Sequence, residues 1–190
     1  MEIQGKTVLV AGATSGLGLG VARHFIERRA NVVLLGRRAE LAQKHATDLG
    51  SRALGVGADI TDPKQVEAAI EAAIDRFGTI DINVNTAGYI VALPLVTAEG
   101  TATQVSEFSR LMNTNVIGTF NVMSQSAAVM LNNAPGEDGE RGVILPEPSA
   151  PRQARRVRGV RRAHRRERLL QRIQPAPRRG VSHRPVVPFK

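Results

Sequence analysis

Thr7-Val8-Leu9-Val10-Ala11 is a short, β-rich apolar run that passes directly into Gly12-Ala13-Thr14-Ser15-Gly16-Leu17-Gly18 and then into an amphipathic stretch reaching about residue 29. Strand, glycine turn and helix in immediate succession constrain the fold more than any other feature. A strand that feeds a helix returns to a parallel neighbour by a right-handed crossover. The unit then repeats without the glycine cluster. Residues 31–35 form a second strand and 39–49 a helix stopped by Gly50, where positive φ is easily accommodated.

The alternation continues. Residues 53–56 make a third strand, and Asp62-Pro63 opens another helix, with Asp62 as N-cap and Pro63 at the first helical position. Val66, Ala69, Ile70, Ala73, Ile74 and Phe77 are spaced to bury one face before Gly78 closes the helix. A fourth strand, 80–84, runs into Asn85-Thr86-Ala87-Gly88. A polar loop over 94–103 leads to a long helical pattern from 106 to 131, and after a Gly/Asp-rich turn Val143-Ile144-Leu145 opens a fifth strand. Strands alternating with helices predict an α/β fold: a Rossmann-type, doubly wound parallel sheet with helices on both faces.

The pattern breaks near Ile144. Residues 1–144 carry 12 Lys and Arg against 15 Asp and Glu, whereas 145–190 carry 14 against 2, so the overall charge of +9 belongs to the tail. In those last 46 residues 26 are Arg, Pro, Ala or Gly, while Asp, Asn, Thr, Tyr and Met are absent, the mix expected of GC-rich DNA translated out of frame. Pro146, Pro148 and Pro151 would each remove a ladder donor from any continued strand. The expectation is an incomplete dinucleotide-binding domain over 1–145, truncated after about the fifth strand. An irregular Arg/Pro-rich tail over 146–190 would follow, its only helical candidate at 157–174 lacking a convincing apolar face.

Composition excludes several kinds of chemistry. With no cysteine there is no disulfide, thiolate nucleophile or cysteine-ligated metal, and the scattered His24, His45, His164 and His183 offer no metal site. No apolar run is long enough to span a bilayer, and the N-terminus is unlike a secretory signal, so a cytoplasmic protein without membrane contact is expected.

Gly12, Ser15, Gly16, Leu17 and Gly18 are candidate cofactor contacts. Gly12 lets the chain turn tightly, Gly16 leaves room for a pyrophosphate beside backbone N–H groups, and Gly18 permits close helix–sheet packing. At the end of the second strand stand Arg37 and Arg38, with no acid to accept from a ribose 2′-hydroxyl. A guanidinium there can pair with a 2′-phosphate, which favours NADP over NAD.

These residues, at this spacing, resemble the short-chain dehydrogenase/reductase family. Its Thr-Gly-x-x-x-Gly-x-Gly turn is matched by residues 11–18 with Ala11 in place of Thr, its adenine-side Asp-Val pair by Asp59-Ile60, and its Asn-x-Ala-Gly strand end by Asn85, Thr86, Ala87 and Gly88. Its helix-borne catalytic Asn is matched by Asn115. The resemblance covers about residues 5–144, and Gly118-Thr119-Phe120-Asn121-Val122 together with the segment ending Gly139-Glu140-Arg141-Gly142-Val143-Ile144 looks like the type-2 3-hydroxyacyl-CoA dehydrogenase branch. It implies hydride transfer between a nicotinamide and a secondary alcohol or ketone, a homo-oligomer built on the helix around Asn115, and Asn115 supporting a water in a proton relay. A Tyr followed four residues later by a Lys would be the acid–base pair, the cation lowering the phenol's pKa.

That pair is absent. The only tyrosine is Tyr89, and four residues on stands Leu93; Ser149 falls near the family's Ser by counting but sits among prolines. Two readings follow: an oxidoreductase of this family whose 190-residue chain does not turn over, or a non-catalytic dinucleotide-binding fragment whose polycationic tail contacts nucleic acid or anionic surfaces without sequence specificity.

Overall fold

Every residue of strand β1, Thr7–Ala11, is buried, as a central strand covered on both faces must be. The computed structural model describes residues 2–146 and 155–158, all within one compact unit, Met1–Gly159. After β1 come α1 (Gly16–Glu27), β2 (Asn31–Gly36), α2 (Ala39–Leu49), β3 (Ala53–Gly57), α3 (Pro63–Phe77), β4 (Ile82–Asn85), α4 (Val105–Met112), a π turn (Asn113–Gly118), α5 (Thr119–Met130), β5 (Glu140–Leu145) and β6 (Arg155–Arg158). The sheet order is β3-β2-β1-β4-β5-β6. The first five strands are parallel, and β6 runs antiparallel to β5.

Period-two alternation sorts the strand residues onto two cores. Leu9, Ala11, Val33 and Leu35 pack with Val66, Ile70 and Ala73 of α3 and with Val122 and Met130 of α5. Their neighbours Val8, Val10, Val32 and Leu34 pack on the other face with Ala22 of α1 and Ala46 of α2. This is the doubly wound α/β architecture that the sequence predicts. Because β1 pairs with both β2 and β4, the chain reverses direction across the sheet at β1. That switch point opens a crevice at the carboxyl ends of the strands.

Helix α3 forms as its sequence dictates. Asp62 Oδ1 accepts from the backbone N–H groups of Lys64 (2.9 Å) and Gln65 (3.3 Å), Pro63 needs no partner in the first turn, and Gly78 ends the helix at φ 81°. Elsewhere the boundaries shift for tertiary reasons. β4 begins at Ile82 rather than residue 80; Asp81 just before it already bonds both neighbouring strands, its N–H donating to the Thr7 carbonyl (2.9 Å) and its carbonyl accepting from the Val143 N–H (2.9 Å), while its carboxylate accepts from the Thr7 N–H (2.9 Å) and from Lys6 Nζ (3.1 Å). The predicted single helix over 106–131 is divided by the π turn into α4 and α5.

β6 is the addition to the predicted sheet. Where the sequence suggests only an irregular tail, residues 155–158 pair with the free edge of β5, Val143 opposite Arg156 and Ile144 opposite Arg155. An unpaired parallel edge accepts an extended, proline-free segment because its backbone donors and acceptors otherwise lack partners. Ser149 and the remainder of the helical candidate at 157–174 lie outside the described residues.

Candidate functional site

A cleft of about 770 Å³ lies at the carboxyl ends of β1, β2, β3 and β4. Its floor is built by two turns in backbone contact. Gly12 takes φ 85°, and a Cβ there would stand 2.7 Å from the Ala87 nitrogen. Thr86 answers from the turn after β4, donating both its backbone N–H (2.9 Å) and its hydroxyl (2.6 Å) to the Ala11 carbonyl. A Cβ on Gly18 would collide with the Gly12 carbonyl and the Thr86 hydroxyl, so the first turn of α1 can lie against β1 only because residue 18 has no side chain. Gly16 is different: at φ 53° it has no atom within 4 Å of where its Cβ would stand. The space above it is open cleft. Ser15 precedes α1 without a side-chain cap, and the first turn holds no acid, which leaves free N–H groups beside the opening.

On the β2 side, Arg38 Nη2 donates to the hydroxyls of Thr14 (3.1 Å) and Ser15 (3.1 Å). The guanidinium is thereby held beside the glycine turn, with Arg37 also in the lining. Next along, Asp59 Oδ1 accepts from the backbone N–H (2.9 Å) and the hydroxyl (2.8 Å) of Thr61, so this acid shapes its own loop. The loop is anchored to α5 and the π turn before it: Asn121 Nδ2 donates to the Ile60 carbonyl (2.8 Å), and a Cβ on Gly118 would lie 2.7 Å from Ile60 Cγ1.

The β4 end completes the cleft. Ala87 and Gly88 line it, whereas Asn85 does not; Asn85 is buried and donates from Nδ2 to Asn83 Oδ1 at 2.6 Å. Asn115 also stands outside the lining. Its amide is engaged with one residue, Nδ2 donating to the Tyr89 carbonyl (2.7 Å) and Oδ1 accepting from the Tyr89 N–H (3.1 Å). In this arrangement Asn115 holds the segment after β4, and its neighbour Thr114 meets the cleft.

Residues 6–145 match the family described as short chain dehydrogenase. The chain belongs to that family. Among relatives of this short-chain dehydrogenase, a 3-hydroxyacyl-CoA dehydrogenase type-2 of Drosophila melanogaster is 37% identical over 144 residues, which are 75% of this chain and 56% of that protein. The protein of the same description from Homo sapiens is 34% identical over 145 residues, 76% of this chain and 56% of its own length. In solved structures, a 3-hydroxyacyl-CoA dehydrogenase type-2 from Mycobacterium avium superposes with a TM-score of 0.71 at 31% identity, covering 76% of this chain and 57% of the other. A 3-ketoacyl-(acyl-carrier-protein) reductase from Brucella melitensis, complexed with NADH, gives 0.63 at 36% identity, covering 69% and 52%. The chain thus spans little more than half the length of these relatives.

Of the site residues predicted from sequence, Gly12, Ser15, Gly16, Leu17, Gly18, Arg37, Arg38, Asp59, Ile60, Ala87 and Gly88 come together around the cleft. The prediction missed Thr14, Gly36, Ala58, Thr86, Thr114 and Tyr89, which also line it. Thr14 and Thr86 sit inside the two motifs, so their proximity was legible; that Thr86 bonds β1 was not, because only strand pairing brings it to Ala11. Among the described residues there is no group of three His, Asp or Glu able to hold a metal, and no helix is long and apolar enough to cross a membrane.

Proposed function

We propose that the cleft binds a nicotinamide dinucleotide, NADP in preference to NAD. The observation that carries this reading is Gly16, left-handed and facing open space directly beside the uncapped start of α1. A pyrophosphate fits there against backbone N–H groups without displacing a side chain. Ser15, Leu17 and the closely packed Gly12 and Gly18 shape that subsite. Arg37 and Arg38 face the adenosine ribose, and Arg38, held by two hydroxyls, is oriented to pair with a 2′-phosphate. Asp59 and Ile60 bound the adenine side, while Ala87 and Gly88 bound the far side.

When bound, the nicotinamide would supply hydride exchange with a secondary alcohol or ketone, 3-hydroxyacyl-CoA being the class suggested by the relatives. This chain's residues bind and orient rather than move the proton. Its only tyrosine is Tyr89, Leu93 stands four residues on, and Asn115 is committed to the Tyr89 backbone. The expected result is dinucleotide affinity without turnover. Calorimetric titration of the full chain with NADP and NAD, beside an assay with a 3-hydroxyacyl-CoA, tests all three parts. Absence of binding would sink the cleft assignment, equal affinities the NADP preference, and measurable oxidation the inactivity.

A further inference from the structure

Tyr89 is the chain's only tyrosine. It follows the β4 turn directly, lines the cleft and is 39% exposed. Asn115 holds both polar groups of its backbone, the carbonyl at 2.7 Å and the N–H at 3.1 Å. A planar amide that spends a donor and an acceptor on one residue fixes that residue's position while leaving its side chain outside the clamp. The structure therefore presents an aromatic side chain on a fixed backbone at the cleft wall, which is how a rigid contact surface is made at low entropic cost.

The strand order decides which half of a ligand this wall meets. β4 lies on the opposite side of β1 from β2 and β3, so Tyr89, which follows β4 and lines the cleft, borders the half away from Arg37, Arg38 and Asp59. A dinucleotide lying across the switch point, with its adenosine toward the arginines, brings its second nucleoside to the Tyr89 side. We propose that Tyr89 is a binding residue whose ring packs against the nicotinamide riboside half of the dinucleotide. Asn115 acts through it, as a positioning residue. The inference rests on the dinucleotide reading of the cleft and extends it to a residue and to a half of the ligand.

The test uses the full chain and its Tyr89→Ala and Tyr89→Phe variants, titrated calorimetrically with NADP and with adenosine 2′,5′-bisphosphate, which lacks the nicotinamide half. Loss of an aromatic packing contact should weaken NADP binding by Tyr89→Ala about fivefold and leave the adenosine fragment within about twofold of the unaltered chain. Tyr89→Phe, which keeps the ring, should bind both like the unaltered chain. The proposal is overturned if Tyr89→Ala retains NADP affinity, if it loses both ligands equally, or if Tyr89→Phe is as weak as Tyr89→Ala, since the hydroxyl and not the ring would then be responsible. An unaltered chain that binds neither ligand would instead overturn the cleft assignment and this inference with it. Circular dichroism of the variants should match the unaltered chain, because the Asn115 clamp grips backbone atoms that both substitutions keep.

Discussion

Gly12 and Gly16 both have positive φ, yet substitution should separate them. A methyl on Gly12 meets the Ala87 backbone at 2.7 Å, so Gly12→Ala combines a left-handed penalty with overpacking and should cost about 2–4 kcal/mol in urea unfolding. Gly16→Ala meets no atom within 4 Å and should cost only about 1–2 kcal/mol. Its methyl would project into the cleft, so the milder variant should be the one that loses dinucleotide affinity, measured by calorimetry on the same preparations. Asn115→Ala should speed hydrogen exchange at the Tyr89 amide, which then lacks its acceptor; unchanged exchange would mean that the clamp is not formed in solution. At this scale the glycines were legible because their spacing after a strand has a mechanical meaning. The role of Asn115 was not, because its partner is 26 residues away in sequence and no local pattern links them.

The elements that local chemistry specifies are those the sequence predicts most closely. Helix α3 carries its own start and stop signals, and its cap has a pH signature. The Asp62 carboxyl is held below its ordinary value of 3.8, chiefly by the hydrogen bond from the Gln65 side chain, then by backbone N–H donation from Gln65, with smaller contributions from Lys64. A folded pKa below the unfolded one means that the stabilisation is fully present above the unfolded value and is lost as pH falls through the folded one. Asp62→Asn keeps an acceptor but cannot titrate. The Tm difference between the two chains should be constant above pH 3.8 and should shrink below it; a difference that persists into strong acid would contradict the cap. Asn133 ties elements that no local signal joins: Nδ2 donates to the carbonyls of Ile80 (2.9 Å) and Arg141 (2.8 Å), and Oδ1 accepts from the Thr79 hydroxyl (2.7 Å). Asn133→Ala should cost about 2–3 kcal/mol in chemical denaturation, since it strands partly buried partners at the starts of β4 and β5. The π turn escaped the sequence reading for a related reason. Hydrophobic spacing registers one continuous helix, and the bulge itself carries two tertiary contacts, Asn115 on Tyr89 and Gly118 on Ile60.

For the whole molecule, β6 changes what the exposed edge of the sheet is. Without it β5 would present unpaired backbone groups; with it the outer strand is Arg155-Arg156-Val157-Arg158, and charged edge strands resist edge-to-edge association. A chain ending at residue 145 should therefore aggregate at concentrations where one ending at residue 159 stays dispersed in light scattering. Equal behaviour would show that β6 does not protect the edge. The shorter chain also loses the cationic segment, leaving a net charge of −3 in place of +9. It should flow through a heparin column that retains the full chain in a salt-dependent way. By itself the sequence determined the parallel α/β class, the two-faced core and the glycine cradle, because backbone conformation, capping and hydrophobic period act within a few residues. Only the tertiary structure decided that Asn115 grips Tyr89, that Thr86 bonds β1 and that a stretch of the arginine-rich tail seals β5. Each of these joins groups distant in sequence, whose pairing depends on which strand edges and carbonyls the assembled sheet leaves within reach.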